Sequence, residues 1–260
     1  MESQRTYVLP LILVCCLMAC AGATGLSAAT LVAQYDFSNA ANLGQDSSGN
    51  GNSLTNYGVV QGTGPDGLAS GIFGYGSILS GSLSGFNVAN GFSYAAWVNL
   101  SGIGGAWDGI ISQDGGICCY NRLMVNPSGQ TLVNVAEHND QVVNTAIGLN
   151  TWVFLVLTAQ NSGGHAVAQV YTNGSAVGGP LQFLQLSNVS LNTYIGSGEG
   201  GGAWYLYGQL ADVQIYSGAL TAGQVAALYR TGSIVPEPGS ILLLAAGLAA
   251  VVCSRTRRRR

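Results

Sequence analysis

Short runs of apolar and β-branched residues, separated by turn residues, make up most of the chain between its two ends. Runs of this length that alternate, or that are rich in Val, Tyr and Trp, are typical of β-strands. Strands are predicted at residues 31–37, 75–81, 92–100, 122–126, 131–138, 151–160, 165–172 and 204–216. Asn173-Gly174 follows one of them, and Asn-Gly favours a tight hairpin because both residues tolerate positive φ.

One helical pattern follows the last strand. Thr221 and Gln224 have the spacing of a capping box, an apolar stretch comes next, and Gly232 provides a stop signal. Many short strands with one terminal helix predict an all-β fold, a two-sheet antiparallel sandwich or jelly roll. Residues 30–234 are enough to bury one substantial core, so we predict a single domain there.

The first 29 residues predict a secretory signal peptide. Arg5 precedes an apolar run over residues 8–21, and small residues then provide cleavage sites at 21–23 and 27–29. Residues 17–20 have the sequence Leu-Met-Ala-Cys. A lipoprotein signal, with Cys20 as the lipidated residue, is therefore an alternative.

Residues 235–260 predict a second processing segment. Pro236, Glu237 and Pro238 precede an apolar run at 241–253, and the chain ends in RTRRRR. As a helix this run would rise about 20 Å, short of the ~30 Å hydrocarbon core, so it can insert transiently but makes a poor permanent anchor. The arginines would hold that end in the cytoplasm. An ordinary tail anchor is the alternative.

The region between these ends is strongly acidic. Nine Asp and Glu residues stand against two bases, Arg122 and Arg230, and the whole chain contains no Lys. Binding to a phosphate backbone needs clustered cations, so this composition argues against nucleic acid as a partner. An acidic surface suits solubility outside the cell and attraction of divalent cations.

The same region contains two cysteines, which are adjacent. Successive side chains diverge on a strand, so both thiols seldom reach one ion, and we favour a disulfide between Cys118 and Cys119 in an exported protein. A hairpin centred between Ser128 and Gly129 would place Cys119 opposite His138. A zinc site and unpaired core thiols are therefore alternatives.

Five motifs follow one another along the predicted domain. They are an opening strand with the loop 46–52, GFSYAAWVNL with Trp97, NTWVFLVLTAQ with Trp152, AQVYTNGSAVG, and YGQLADVQIYSGALTAGQVAALY with Asp212. In this order they resemble the laminin G-like jelly rolls of the concanavalin A-like lectin/glucanase superfamily. We assign Trp97 and Trp152 to the core. The tail, with VPEPGS at 235–240, resembles a PEP-CTERM sorting signal, which implies recognition and cleavage by an exosortase.

The loop 46–52 predicts a calcium site. Asp46, Asn50 and Asn52 supply carboxylate and amide oxygens in one turn that glycines allow to close. The first and last strands of this fold lie near each other, so the resemblance implies that Asp212 reaches the same ion. The alternative is an Asx-type turn, in which Asp46 and Asn50 bond their own backbone.

Trp107, Trp204 and Tyr205 are candidates for a sugar-stacking platform, because aromatic faces suit the C–H edges of pyranoses. Packing within the sheets is the alternative. Catalysis is not expected. Glu137 and Asp140 would face opposite sides of a strand and make a poor pair for glycoside hydrolysis.

Together these features predict an exported, non-catalytic protein of the cell surface or extracellular matrix. Its lectin-like jelly roll would bind glycan or exopolysaccharide and hold structural calcium. One alternative is a structural matrix component without a glycan ligand. The other is a degenerate glycoside hydrolase or lyase.

Overall fold

The computed structural model describes residues 29–232, with gaps at 103, 115–119, 137–138, 188 and 190. The predicted signal peptide up to residue 28 lies outside the described residues. So do Cys118, Cys119 and the sorting residues Pro236, Glu237 and Pro238 with the apolar run that follows them. Within the described ranges, no helix is long and apolar enough to cross a membrane.

Two antiparallel sheets account for most of the described residues. Sheet A contains, in spatial order, β13 (Ser175–Phe183), β12 (His165–Thr172), β11 (Val153–Ser162), β6 (Phe92–Leu100), β17 (Gly208–Ser217), β4 (Ala69–Phe73) and β3 (Val60–Thr63), with β1 (Thr30–Tyr35) also beside β17. Sheet B contains β10 (Gln141–Asn144), β9 (Gln130–Val135), β8 (Asn121–Val125), β7 (Asp108–Asp114), β14 (Asn192–Ile195), β5 (Ile78–Ser82) and β2 (Thr55–Tyr57).

Three kinds of smaller element complete the fold. A hairpin pairs β15 (Ser197–Glu199) with β16 (Ala203–Tyr205). Two 3₁₀ turns occupy Pro65–Gly67 and Val88–Asn90, and the helix α1 spans Ala222–Thr231. The predicted fold class, a two-sheet antiparallel jelly roll with one short C-terminal helix, is confirmed.

The first and last strands of the domain are hydrogen-bonded neighbours. β1 runs antiparallel to β17, with Gln34 opposite Gln214. Along its other edge β17 pairs with β6, and a bulge interrupts that ladder between Ala211 and Gln214. Asp212 lies in the bulge with φ 47°. An interior strand of sheet A, β17, therefore also holds the first strand of the domain.

Side-chain alternation along the strands separates a core face from an outer face. Leu123 of β8 and Val133 of β9 are fully buried in the main hydrophobic cluster, together with Leu155 of the opposite sheet. Successive side chains of a strand point to opposite faces. Arg122 and Asn134, each next to one of these core residues, therefore lie on the outer face of sheet B.

Helix α1 covers part of the outer face of sheet A. Trp97 of β6 packs between Phe154 of β11 and Tyr229 of the helix, with ring centroids 5.3 and 5.7 Å away. Trp97 thus packs under the helix, outside the space between the sheets. Trp152 is partly exposed and belongs to neither hydrophobic cluster, so its assignment to the core is wrong.

The ends of α1 follow the predicted capping pattern. The Thr221 hydroxyl accepts a hydrogen bond from the Gln224 backbone N–H, and the Gln224 side chain accepts one from the Thr221 N–H. Gly232 ends the helix in the left-handed region with φ 68°. Both ends are therefore fixed by local sequence.

Two predictions about strands are wrong. The β8–β9 hairpin is centred on Ser128, because Gly129 takes φ 72° and makes a three-residue loop, so Arg122 lies opposite Asn134. The predicted strand at 204–216 is divided into β16 and β17, because residues 206–207 between them belong to neither strand.

Candidate functional site

A row of side chains crosses the outer face of sheet B. Cross-strand pairing places Tyr194 of β14 beside Ser112 of β7, Ser112 beside Arg122 of β8, and Arg122 beside Asn134 of β9. Directly opposed residues have Cβ atoms about 5 Å apart. These four residues, here called the outer row, therefore form one continuous stretch across four strands.

Arg122 is the charged centre of the outer row. Its side chain is only 1% exposed, and the carboxylates of Asp140, Asp114 and Glu199 surround it closely enough to act on its charge. Burial lowers the pKa of Arg122, and the three carboxylates oppose that shift. An Arg side chain stays protonated in proteins, so a positive charge persists beneath this surface.

Trp204 of β16 covers the Arg122 guanidinium. Its ring centroid lies 5.0 Å from the Arg122 Cζ, within the range of a cation–π contact. The Trp204 backbone has φ 50°, a left-handed conformation that bulky residues rarely adopt. Such strain costs on the order of 1–3 kcal/mol and persists only where surrounding contacts impose it. Trp204 lies between two residues paired with β15, and its ring covers Arg122.

Two glycines let the β15–β16 hairpin lie directly on the outer face of sheet B. A Cβ atom on Gly109 would lie 2.0 Å from the backbone N of Gly198. A Cβ atom on Gly198 would lie 2.6 Å from the Met124 Cε. The close approach of these backbones brings Trp204 over the outer row.

A pair of aromatic rings joins this hairpin to the turn between β4 and β5. Tyr75, in the turn between β4 and β5, is 82% exposed, and its ring meets that of Tyr205 edge-on with centroids 5.2 Å apart. The Tyr205 hydroxyl donates a hydrogen bond to the Gly201 carbonyl oxygen at 3.0 Å. A ring held in this way at the surface can stack on a ligand without being ordered first.

The three predicted sugar-stacking residues are only partly brought together. Trp204 and Tyr205 share the hairpin, whereas Trp107 lies partly buried in the loop before β7. Among the described residues, no ring contact joins Trp107 to the other two. Tyr75 was missed, although a Tyr between two glycines in a turn is a signal of an exposed ring.

The outer row also contains buried polar atoms whose hydrogen bonds are unsatisfied. Ser112 is fully buried, and its Oγ has no hydrogen-bond partner among the described residues. Asn134 is likewise buried, and while its Nδ2 donates to Asp140 Oδ1 at 2.9 Å, its Oδ1 has no partner in the described part of the chain. The sequence alone did not single out these residues.

The predicted calcium loop is held by hydrogen bonds to the Asp46 carboxylate. The backbone N–H groups of Gln34, Ser48 and Asn52 donate to it at 3.0, 2.9 and 2.9 Å. Burial would raise the pKa of Asp46, but a hydrogen bond with the Ser48 side chain, together with these backbone hydrogen bonds, outweighs it and lowers the pKa. The Asn50 and Asn52 side chains donate to the Val32 carbonyl oxygen at 3.2 and 2.9 Å.

Asp212 contacts β1, the strand that the Asp46 loop also contacts. Its Oδ1 accepts from the Gln34 side chain and its Oδ2 from the Gln214 side chain, each at 2.7 Å. Burial raises the pKa of Asp212, with a further rise from Asp36. Asp46 and Asp212 therefore both contact Gln34, one through its backbone and one through its side chain. In the described ranges, no three His, Cys, Asp or Glu residues are grouped to hold a metal, and calcium stays a prediction.

A separate groove of about 210 Å³ lies on the outer face of sheet A. Thr158, Gln169 and Tyr171 line it from the strands, and Leu220 and Thr221 line it from the start of α1. Its lining contains no charged side chain. The outer row is therefore the stronger candidate for a binding site.

Two family profiles match this chain. One, described as the concanavalin A-like lectin/glucanases superfamily, matches residues 73–226. The other, the PEP-CTERM protein-sorting motif, matches residues 235–259 and implies processing by an exosortase-type sorting system. A search of curated proteins returned no match.

Several solved structures share the fold. Domain 4 of AbnA, a GH43 extracellular arabinanase from Geobacillus stearothermophilus solved with arabinotriose, is 20% identical with a TM-score of 0.57, over 77% of this chain and 98% of that one. The binding domain of botulinum neurotoxin serotype G is 16% identical with a TM-score of 0.58, over 77% and 51%. The binding domain of Paraclostridial Mosquitocidal Protein 1 is 15% identical with a TM-score of 0.58, over 76% and 51%.

This chain thus spans about half the length of the last two domains. At these identities the likeness establishes the fold alone. The profile match covers most of the domain, and the sorting motif directs export toward the cell envelope. The chain belongs to the concanavalin A-like lectin/glucanase superfamily and carries a PEP-CTERM sorting signal.

Proposed function

We propose that this protein is a non-catalytic component of the cell surface or extracellular matrix that binds a glycan on the outer face of sheet B. The observation that carries the proposal is the exposed Tyr75–Tyr205 pair beside Trp204 and the buried Arg122. Sugar recognition uses aromatic rings for stacking and charged groups for hydrogen bonding, and this surface contains both kinds of group.

The exposure of Tyr75 supports a binding role for this surface. A ring that is 82% exposed contributes little to folding, yet it is held against Tyr205 rather than left to move alone. Tyr205 is in turn fixed through Gly201. Rigid aromatic side chains lose little conformational entropy on binding, which favours them as ligand contacts.

The likeness to the arabinanase domain is compatible with this proposal. That domain was solved in complex with arabinotriose. The ligand of this chain is not inferred from it, because function depends on the residues of the site rather than on the fold. The solvent-facing groups around the outer row supply those residues here, in Tyr75, Tyr205 and Asp140.

A glycan array and titration calorimetry test the proposal on the mature protein. We expect saturable binding that Tyr75→Ser and Tyr205→Ser each weaken roughly tenfold, equivalent to about 1.4 kcal/mol. Leu68→Ser is the matched control, because it removes an exposed apolar side chain in the β3–β4 loop of the other sheet. Its affinity should equal that of the wild type.

Absence of saturable binding to any glycan would contradict the proposal. If deletion of the protein then weakened the matrix, the structural alternative would take its place. Release of reducing sugar from a bound glycan would instead indicate an enzyme. Calcium at Asp46, Asn50, Asn52 and Asp212 is a separate part of the proposal, with its own test below.

A further inference from the structure

We propose that the outer row favours polysaccharides with free, protonated amino groups, such as polymers of deacetylated amino sugars, over anionic polysaccharides. This inference rests on the proposed function, since it assumes that a glycan occupies this surface. It follows from the charges at the row, from one buried hydroxyl beneath it, and from the aromatic rim.

The balance of charge at the outer row is negative. Asp114, Asp140 and Glu199 all act on the single guanidinium of Arg122, so the group has a net charge of about −2 at neutral pH. Asp140 is exposed and Glu199 is partly exposed, whereas Arg122 is buried. A ligand that approaches from solvent therefore contacts the carboxylates of Asp140 and Glu199 before it can approach the Arg122 guanidinium.

The floor of the site is polar. Ser112 lies beside Arg122 in the outer row, is fully buried, and has a hydroxyl without a hydrogen-bond partner among the described residues. A buried hydroxyl in that state costs free energy unless a ligand atom or an ordered water satisfies it. The floor is thus suited to a polar ligand and not to an apolar one.

The aromatic rim of the site also suits an ammonium group. Trp204 and Tyr205 share the β15–β16 hairpin with Glu199, and Tyr75 contacts Tyr205. Aromatic faces attract ammonium groups as well as sugar C–H edges. A uronate or sulfated sugar would instead bring a negative charge toward Glu199 and Asp140. Selectivity then arises from repulsion of the wrong ligand as well as attraction of the right one.

The test compares three oligosaccharide probes by calorimetry in mildly acidic buffer at low and high salt. The probes are oligomers of glucosamine, the same oligomers fully N-acetylated, and oligomers of a uronic acid. We expect the glucosamine oligomer to bind roughly tenfold more tightly than the N-acetylated one, with a preference that shrinks at high salt. The uronic acid oligomer should bind most weakly.

Charge variants locate the preference. Glu199→Gln should reduce the preference for free amines about threefold, as expected for a partly exposed charge. The affinity for the N-acetylated oligomer should not fall. Asp66→Asn makes the same change of net charge in the β3–β4 loop, far from the outer row, and should leave the preference unchanged.

The outcomes separate the two proposals. If none of the three probes binds and the glycan array also shows no binding, the proposed function itself is wrong. Equal or tighter binding of the N-acetylated or uronic acid oligomer would overturn the amine preference and leave glycan binding intact. Displacement of the glucosamine oligomer by an equally charged lysine oligomer at the same concentration would also overturn it, because charge alone would then suffice.

Discussion

Asp108, the first residue of β7, is a fully buried carboxylate. Its Oδ1 accepts a long hydrogen bond of 3.4 Å from the Gly104 N–H, and its Oδ2 has no partner within the described ranges. Burial, the largest cause, raises the pKa of Asp108 to about 6. An ionised group in this position opposes folding.

The pH dependence of stability follows from that shift. The unfolded chain ionises Asp108 near pH 4, and the folded chain does so only near pH 6. Its contribution to the free energy of unfolding should therefore fall as the pH rises from about 4 to about 6 and stay low above that. Asp108→Asn should remove this decrease and stabilise the protein at neutral pH by up to about 3 kcal/mol.

Denaturant unfolding of both proteins between pH 4 and pH 7 measures the effect. Asp66→Asn, at an exposed position, is the control, and its free energy of unfolding should depend on pH as that of the wild type does. An unchanged pH profile in Asp108→Asn would mean that the carboxylate is stabilised by a partner that its contacts do not indicate.

Calcium binding at the Asp46 loop would change the stability of the protein. If calcium binds there, added calcium should raise the melting temperature of the native protein and a chelator should reverse the rise, since a ligand of the native state stabilises it. Asp212→Asn should lose the calcium effect. A melting temperature that neither calcium nor chelator changes would leave Asp46 with the structural role of an Asx-type turn.

Among the elements, the β15–β16 hairpin depends on the absence of a side chain at Gly109. A methyl group there would meet the backbone of Gly198 at 2.0 Å, and backbone cannot move aside as a flexible side chain can. Gly109→Ala should displace the hairpin, cost about 1–3 kcal/mol of stability, and lower glycan affinity more than tenfold. Both sheets should still form.

Gly105→Ala is the matched control for this prediction. A Cβ atom on Gly105 would have no atom within 4 Å, so stability and affinity should stay close to wild type. Tryptophan fluorescence reports the position of Trp204 over Arg122. Retention of full affinity in Gly109→Ala would show that the hairpin position does not matter for binding.

The elements also show what the sequence could predict. The strongest local signals gave correct results, as in β6, α1 and the Asn173-Gly174 hairpin, whose φ values are 49° and 80°. β13 was not predicted because Pro180 and two glycines weaken its pattern, yet an edge strand tolerates them.

The candidate site was harder to predict than the elements. The outer row depends on which residues of four strands lie side by side, and a shift of one residue turns every side chain to the other face. The predicted β8–β9 register had that error, so Arg122 could not be placed beside Asn134. Trp204 and Tyr205 were found because aromatic residues that follow a glycine-rich stretch are visible without any register.

At the scale of the whole molecule, the distribution of charge fits an exported protein with a site on one face. The domain has nine acidic residues and two bases, with no Lys in the chain. One of the two bases, Arg122, is buried within the outer row, and the other, Arg230, lies in the last turn of α1. The surface outside these positions repels polyanions, which agrees with the preference proposed for the outer row.

The pairing of β1 with β17 has a consequence for the order in which the protein can fold. β1 is synthesised near the start of the domain, but its hydrogen-bonding partner comes almost at the end. β17 also supplies partners for β6 and β4, so sheet A stays incomplete until nearly every residue of the domain is available. Contacts so distant along a chain form slowly. A nascent polypeptide that is exported as an extended chain would therefore stay unfolded while it crosses the membrane. It would fold only after it has left the cytoplasm.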